Sequence, residues 1–195
     1  MFRHRSKLVH VAVALVLLVI STMLWPSLGA SATYALPILA SPTAVCPTPG
    51  NNACITNTPT VGLPLNGLDQ NVSYTLAFRL NNATPGTWHV TITSTLFTAG
   101  SHTLSSTASS VTAVAIVPSC TGSTCPQNTI IYPVAVPAGN TAPAPNTFYD
   151  NSPGTQTHGQ GTFTIQATIQ VTVPANSFTG NYSSTVTISF VSGSP

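Results

Sequence analysis

Residues 161–191 decide the fold, and they read GTFTIQATIQVTVPANSFTGNYSSTVTISFV. In the first part of this stretch every second residue is apolar, and Thr or Gln stands between. These apolar positions are Phe163, Ile165, Ala167, Ile169, Val171 and Val173. Side chains in a strand alternate between its two faces, so the pattern predicts a strand with one apolar and one polar face. Turn-forming residues follow at 174–181, and alternation resumes from Tyr182 to Phe190, which predicts a closing hairpin.

Further strands are predicted by working outward from this stretch. They fall at 60–65, 71–80, 88–97, 111–117, 129–136 and 147–149. The turn-rich segment 81–86 predicts a hairpin between the second and third of these. No helical periodicity follows the amino-terminal segment. Seven to eight short strands separated by turns predict an all-β fold, an antiparallel immunoglobulin-like β-sandwich without the Cys…Trp…Cys pattern of antibody domains.

Charged residues are scarce: the chain has four basic and two acidic residues, with no Glu. Three of the basic residues lie in the first seven positions, which leaves Arg79, Asp69 and Asp150 in the body. Such a body has no basic patch for phosphates, which excludes nucleic acid as a partner. Its surface must be solvated mainly by Ser, Thr, Asn and Gln. Low net charge also favours self-association, which leaves both a monomer and a homo-oligomer open.

The amino terminus has the pattern of an export signal. A basic segment and an apolar run precede a small-x-small site, which predicts a signal peptide over 1–32, cleaved after Ala32 or after Ala35. The alternative is an uncleaved anchor, because the run approaches the roughly 17–20 residues that cross a bilayer. Membrane contact is then expected only through this segment. The Pro/Ala/Thr-rich segment 33–58 is interpreted as a linker or arm, and 59–195 as the β-sandwich domain.

The four cysteines of the body are Cys46, Cys54, Cys120 and Cys125. An even number in an exported chain indicates disulfides, for which three pairings exist. The short, turn-rich spans favour Cys46–Cys54 and Cys120–Cys125. The alternative, a structural zinc site, usually has a C-x₂-C spacing that is absent here.

The chain resembles the WxL-domain surface proteins of Gram-positive bacteria in two places. The first is Trp88-His89-Val90, which follows Gly86-Thr87, and the second is the Val-Pro, Gly-Asn-Tyr and strand pattern of 173–190. Ile188-Ser189-Phe190 stands where the family has a second Trp-x-Leu. The resemblance implies a β-sandwich on the cell surface and non-covalent attachment to the cell wall.

Trp88 and His89 are the candidate ligand contacts, because an indole ring can stack on a sugar. In the alternative interpretation Trp88 lies in the core, and alternation then places His89 on the opposite face, toward solvent.

Catalytic chemistry is poorly supplied by the sequence. Asp69 and Asp150 lie in different predicted loops, which disfavours a paired-carboxylate mechanism. Asp150, His158 and a serine lack the Gly-x-Ser-x-Gly elbow of a nucleophile. His89, His102 and His158 show no ligand spacing. The sequence therefore predicts a non-enzymatic protein without catalytic, cofactor or metal sites.

The expected function is that of a secreted cell-surface domain that associates non-covalently with cell-wall polysaccharide or with other surface proteins. The alternative is a structural subunit of a fibre or coat, similar to a pilin, that assembles through edge strands. In that case the segment 33–58 would complement the sheet of a neighbour.

Overall fold

The computed structural model describes residues 35–42, 53–83, 87–117, 125–151, 159 and 161–195. All regular structure in these ranges is β-strand, arranged in two sheets, which confirms the predicted all-β class and is consistent with a sandwich. In chain order the strands are β1 (Ala35–Pro42), β2 (Ala53–Ile55), β3 (Thr60–Pro64), β4 (Gln70–Ala83), β5 (Trp88–Thr95), β6 (Thr98–Ala99), β7 (His102–Thr103), β8 (Ser109–Val117), β9 (Val134–Ala135), β10 (Ala138–Gly139), β11 (Asn146–Asp150), β12 (Gly161–Val173) and β13 (Tyr182–Ser192).

Sheet B has the order β2-β4-β12-β8-β9 and is centred on β12. This strand pairs antiparallel with β4 along its length and with β8 on its other side. Its alternate apolar residues are buried, as predicted, and so are those of β4, while Arg79 points outward. Periodicity therefore identified correctly which face of each strand enters the core.

Sheet A has the order β10-β5-β13-β1-β3, with β11 beside β5 and β6 joining β13 to β7. Strand β13 pairs antiparallel with β5 and parallel with β1. Strand β1 in turn pairs antiparallel with β3. The apolar inner faces of the two sheets supply one core cluster that includes Leu76, Ile92 and Ile165.

The hairpin predicted over 161–191 is wrong, because β12 lies in sheet B and β13 in sheet A. The hairpin predicted for 71–80 and 88–97 is wrong for the same reason, since β4 lies in sheet B and β5 in sheet A. Hairpin loops usually have two to five residues. The connection 174–181 is longer than that, and it spans the roughly 10 Å that separates packed sheets.

The structure also differs from the linker interpretation of 33–58. Residues 35–42 form β1, hydrogen-bonded between β13 and β3, and residues 53–55 form β2 at the edge of sheet B. Ladder hydrogen bonds use the backbone, so a strand can form without apolar alternation. The chain divides into two compact units, Met1–Ala32 and Thr33–Pro195.

The predicted signal segment 1–32 lies outside the described residues. Within the described ranges, no helix has the length and apolar character needed to span a membrane.

Two loop regions also differ from expectation. Of the strand predicted over 129–136, only Val134–Ala135 is regular, and Ile131 is 88% exposed. Between the strands predicted at 88–97 and 111–117, residues 102–103 form β7, which pairs with β6 as a small hairpin. Strand β6 lies beside β13, and the β6–β7 hairpin borders the cleft described below.

Candidate functional site

Trp88 lies in the core, where it is 1% exposed. Its ring stacks on Tyr149 and Phe163, with centroids 5.5 and 5.8 Å away, and tilts against Phe190 at 5.4 Å. The indole Nε1 is buried and has no hydrogen-bond partner. The structure thus places this candidate ligand contact in the aromatic centre of the sandwich, away from the surface.

His89 is buried as well, at 8% exposure, although alternation predicts that it faces solvent. It does point away from the core, but its Nδ1 lies 2.9 Å from the carbonyl oxygen of Gly193. Its Cα partners across the sheet are Asp150 and Val191. The sequence gives the face of a strand and not what covers that face, so the prediction of solvent exposure is wrong.

Next to Trp88, the chain after β11 forms a buried polar corner. Asn151 is fully buried; its N–H donates to the Trp88 carbonyl at 2.9 Å, and its Oδ1 accepts from the Gln127 N–H at 2.8 Å. The Asp150 carboxylate accepts from the Thr129 hydroxyl at 3.1 Å. These bonds fix the corner and hold the polar groups in structural roles.

Burial also raises the pKa values of two nearby tyrosines, Tyr132 and Tyr149. The Tyr132 hydroxyl donates to the Phe148 carbonyl at 2.7 Å and accepts from the Asn128 amide at 2.8 Å. Burial raises the pKa of Tyr132, with the bond from Asn128 opposing that shift. Burial likewise raises the pKa of Tyr149, so both hydroxyls stay protonated in the neutral range.

The two carboxylates are hydrogen-bonded to different segments. Asp69 is exposed, and its Oδ1 accepts from the Ala175 N–H at 2.8 Å, whereas Asp150 is bonded near β11. Within the described ranges, no three His, Cys, Asp or Glu side chains group in a way that could hold a metal ion. His158 lies outside those ranges.

Cys54 and Cys125 are both in the disulfide-bonded state, and neither is a free thiol. Cys54 lies in β2 and is 5% exposed. Cys46 and Cys120 lie outside the described residues. Which cysteines pair therefore stays a prediction.

The outer face of sheet B is a broad hydrogen-bonding surface, called the polar face below. Cross-strand partners place side chains of β4, β12 and β8 side by side on it. Its members are Asn71, Ser73, Thr75, Ala77 and Arg79 of β4, Thr164, Gln166, Thr168, Gln170 and Thr172 of β12, and Ser110, Ala113, Ala115 and Val117 of β8. All are exposed or half-buried, and Arg79 is the one charged residue among them.

The polar face differs from the outer face of sheet A, part of which is covered. There, Thr91 and Thr93 of β5 are buried although they point away from the core. The Thr93 hydroxyl donates to the Pro143 carbonyl at 2.9 Å, which ties the segment after β10 over the strand. Of the two outer faces, the polar face is therefore the more open to a large partner.

A cleft of about 250 Å³ lies between the β6–β7 hairpin and the connection 174–181. Its lining residues are Ser101, His102, Thr103, Leu104, Ser105, Pro174, Asn176, Ser177, Phe178 and Tyr182. Leu104 and Tyr182 are buried and give it an apolar base, while hydroxyl and amide groups dominate the rest. His102 and Phe178 stack with centroids 3.8 Å apart and planes at 14°.

Sequence reasoning missed this cleft because its two sides are far apart in the chain. The sequence predicts 174–181 as the turn of a hairpin and gives His102 no ligand spacing, so nothing in it connects the two sides. The crossing of 174–181 between the sheets brings Phe178 against His102. A signal was present in Phe178, the one aromatic residue in a segment otherwise made of turn formers.

No protein-family model matches this chain, and no curated protein matches it either. The resemblance to WxL domains therefore stays an expectation from the motifs.

Proposed function

We propose that the protein is an exported, non-enzymatic cell-surface domain that associates non-covalently with the cell envelope. The observation that carries this proposal is the polar face, on which β4 and β12 present rows of Thr, Gln, Ser and Asn side chains with a single charge. Hydroxyl and amide groups both donate and accept hydrogen bonds, as do the hydroxyls of a polysaccharide. An extended, regular surface can contact several units of such a polymer together, and weak contacts then add up.

The near-neutral charge of the polar face determines how its binding to a polysaccharide responds to salt. Attraction between opposite charges weakens as the Debye length shortens with ionic strength, whereas hydrogen bonds between neutral groups do not depend on it in that way. Association through the polar face is therefore expected to persist at high salt. This behaviour separates it from adsorption of a cationic protein to an anionic wall.

Sedimentation of the exported protein with isolated cell walls, at low and at high salt, tests the proposal. Gln166→Ala combined with Gln170→Ala removes two amides from the centre of the polar face. Thr187→Ala combined with Ser189→Ala is the matched control, because both residues are exposed on β13 of the other sheet. We expect retention by the wild type and the control, and weaker retention by the Gln variant. Absence of retention, or retention lost at high salt, contradicts the proposal.

A second candidate function, assembly through edge strands, is favoured by β8. Its residues 109–117 pair with β12 on one side, but β9 pairs on the other side only at Ser110 and Val111. Within the described residues, 112–117 therefore have no strand partner on that side. The segment reads TAVAIV, without charge or Pro, and Val117 is 41% exposed. Native proteins usually blunt such edges, because an open edge accepts a strand from another chain.

Light scattering after size-exclusion chromatography tests this candidate. Ala115→Lys places a charge on the open edge strand, and Ser73→Lys places the same charge on β4 of the same sheet face as a control. If β8 mediates assembly, the wild type and the control form oligomers and the Ala115 variant is a monomer. A wild type that is monomeric at all concentrations refutes it.

A further inference from the structure

We propose that the cleft between the β6–β7 hairpin and the connection 174–181 binds one neutral sugar ring, packed on Phe178. The inference deepens the proposed envelope association by naming a ligand class and a second site. It rests on that proposed function for the biological source of the sugar. Three properties of the cleft carry it: the aromatic wall, the free hydrogen-bonding groups, and the size and charge of the space.

The aromatic wall is the stacked pair of His102 and Phe178. Phe178 is 59% exposed, which is unusual for a ring in a chain that buries most of its aromatic residues. The His102 ring lies nearly parallel to it, so the orientation of Phe178 is fixed in advance of binding. The face of an aromatic ring is electron-rich and attracts groups with positive edges. The C–H groups on one face of a sugar ring are such groups, and they are apolar enough to gain from leaving water.

The free hydrogen-bonding groups belong to both sides of the cleft. Among the described residues, no hydrogen bond is made by the side chains of Ser101 and Thr103 on one side, or of Asn176 and Ser177 on the other. Three hydroxyls and one amide offer donors and acceptors together. A sugar presents the same mixture around its ring. A ligand of this kind gains hydrogen bonds without leaving a buried polar group unpaired.

Size and charge narrow the ligand further. The volume of about 250 Å³ is below the roughly 300–1,000 Å³ of sites for drug-sized ligands, so it suits a single ring. No Asp, Glu, Lys or Arg lines it. Asp69 is bonded to Ala175, between two lining residues, and its negative charge disfavours an anionic ligand. A proline-rich peptide also binds aromatic surfaces, but it needs an extended aromatic-lined groove and uses few hydroxyl contacts.

Titration of the exported protein with glucose, galactose and N-acetylglucosamine, followed by NMR, tests the inference; glucuronate serves as the anionic comparison. We expect at least one neutral sugar to bind with a dissociation constant of about 1 mM and to shift signals of Ser101–Ser105 and 174–178. Phe178→Ala is expected to weaken binding on the order of tenfold, since an aromatic contact of about 1.4 kcal/mol corresponds to that factor. Ile131→Ala, at an isoleucine that is 88% exposed and outside the cleft, is the control and should bind like the wild type.

The inference is overturned if no neutral sugar binds up to about 10 mM, if glucuronate binds as well as the neutral sugars, or if Phe178→Ala binds like the wild type. It is also overturned if a proline-rich peptide shifts the cleft signals and the sugars do not. Retention on cell walls without sugar binding leaves the proposed function standing and removes the cleft. Sugar binding without retention on walls supports the cleft as a sugar site and contradicts the proposed envelope association.

Discussion

Gly159 is the position where the smallest side chain should cause a large loss of stability. Its φ is 73°, in the left-handed region that favours glycine. A Cβ there would lie 2.6 Å from Nδ2 of Asn151 and 2.8 Å from both Cζ2 and Nε1 of Trp88. Trp88 is 1% exposed and Asn151 fully buried, so neither can move into solvent to make room. Gly159→Ala therefore forces an overpacked core.

Two terms set the size of this loss. The left-handed backbone costs an alanine about 1 kcal/mol. Overpacking a tightly packed core typically adds about 1–3 kcal/mol. Gly67→Ala isolates the first term, because Gly67 has a φ of 76° and its Cβ would meet no atom within 4 Å. We expect a loss of about 1 kcal/mol in the Gly67 variant and of about 2–4 kcal/mol in the Gly159 variant.

Urea unfolding followed by far-ultraviolet circular dichroism measures both losses as changes in midpoint at constant slope. Trp88→Phe provides a second check, since it removes both indole atoms that the new methyl group would meet. The double variant should then be more stable than the sum of the single losses implies, which a double-mutant cycle detects. Equal losses at Gly159 and Gly67, or strict additivity with Trp88→Phe, would refute the reasoning.

Three further outcomes are expected from buried polar groups. Asn151→Ala should lower the free energy of unfolding by about 1 kcal/mol, because it removes the hydrogen bond that the fully buried Asn151 side chain accepts from the Gln127 N–H, and a loss near zero in urea unfolding would contradict this. Burial raises the pKa of Tyr74 above the ordinary tyrosine value of about 10, so its contribution to stability is full below about pH 10 and falls above it. Tyr74→Phe should flatten that fall, and an unchanged dependence of stability on pH in alkaline urea titrations would count against it. Thr93→Val should cost about 1 kcal/mol by removing the bond to Pro143 and should raise hydrogen exchange after β10, whereas unaltered exchange there would argue against this tether.

The sequence predicts the faces of the strands much better than their partners. Alternation in β12 is visible over thirteen residues, and the buried face follows directly from it. The same alternation fits a strand beside β13 and a strand opposite β13 equally well, because both bury the same apolar side. Only the length of the connection 174–181 separates the two arrangements. Strand β1 is harder to predict from the sequence, since its place in sheet A depends on backbone pairing with β13 and β3.

The candidate site shows a similar division. Burial of Trp88 follows from its position at the start of an alternating strand, as one of the two sequence interpretations holds. Burial of His89 depends on where the chain returns after β13, which periodicity does not encode. The cleft depends on a contact between His102 and Phe178, far apart in sequence. A site formed by loops that are distant in sequence leaves little local sequence pattern from which it could be predicted.

The parallel pairing of β1 with β13 has a consequence for when this protein can fold. Strand β13 is the central partner of both β5 and β1, and it follows all the other described strands in sequence. A polypeptide that emerges from its amino end therefore exposes β1 and β5 long before the strand that joins them exists. Non-local pairing of this kind slows folding, and sheet A has to wait until β13 has emerged. If the predicted export signal acts, the late formation of sheet A keeps the chain unfolded while it crosses the membrane, and the native state forms outside the cell.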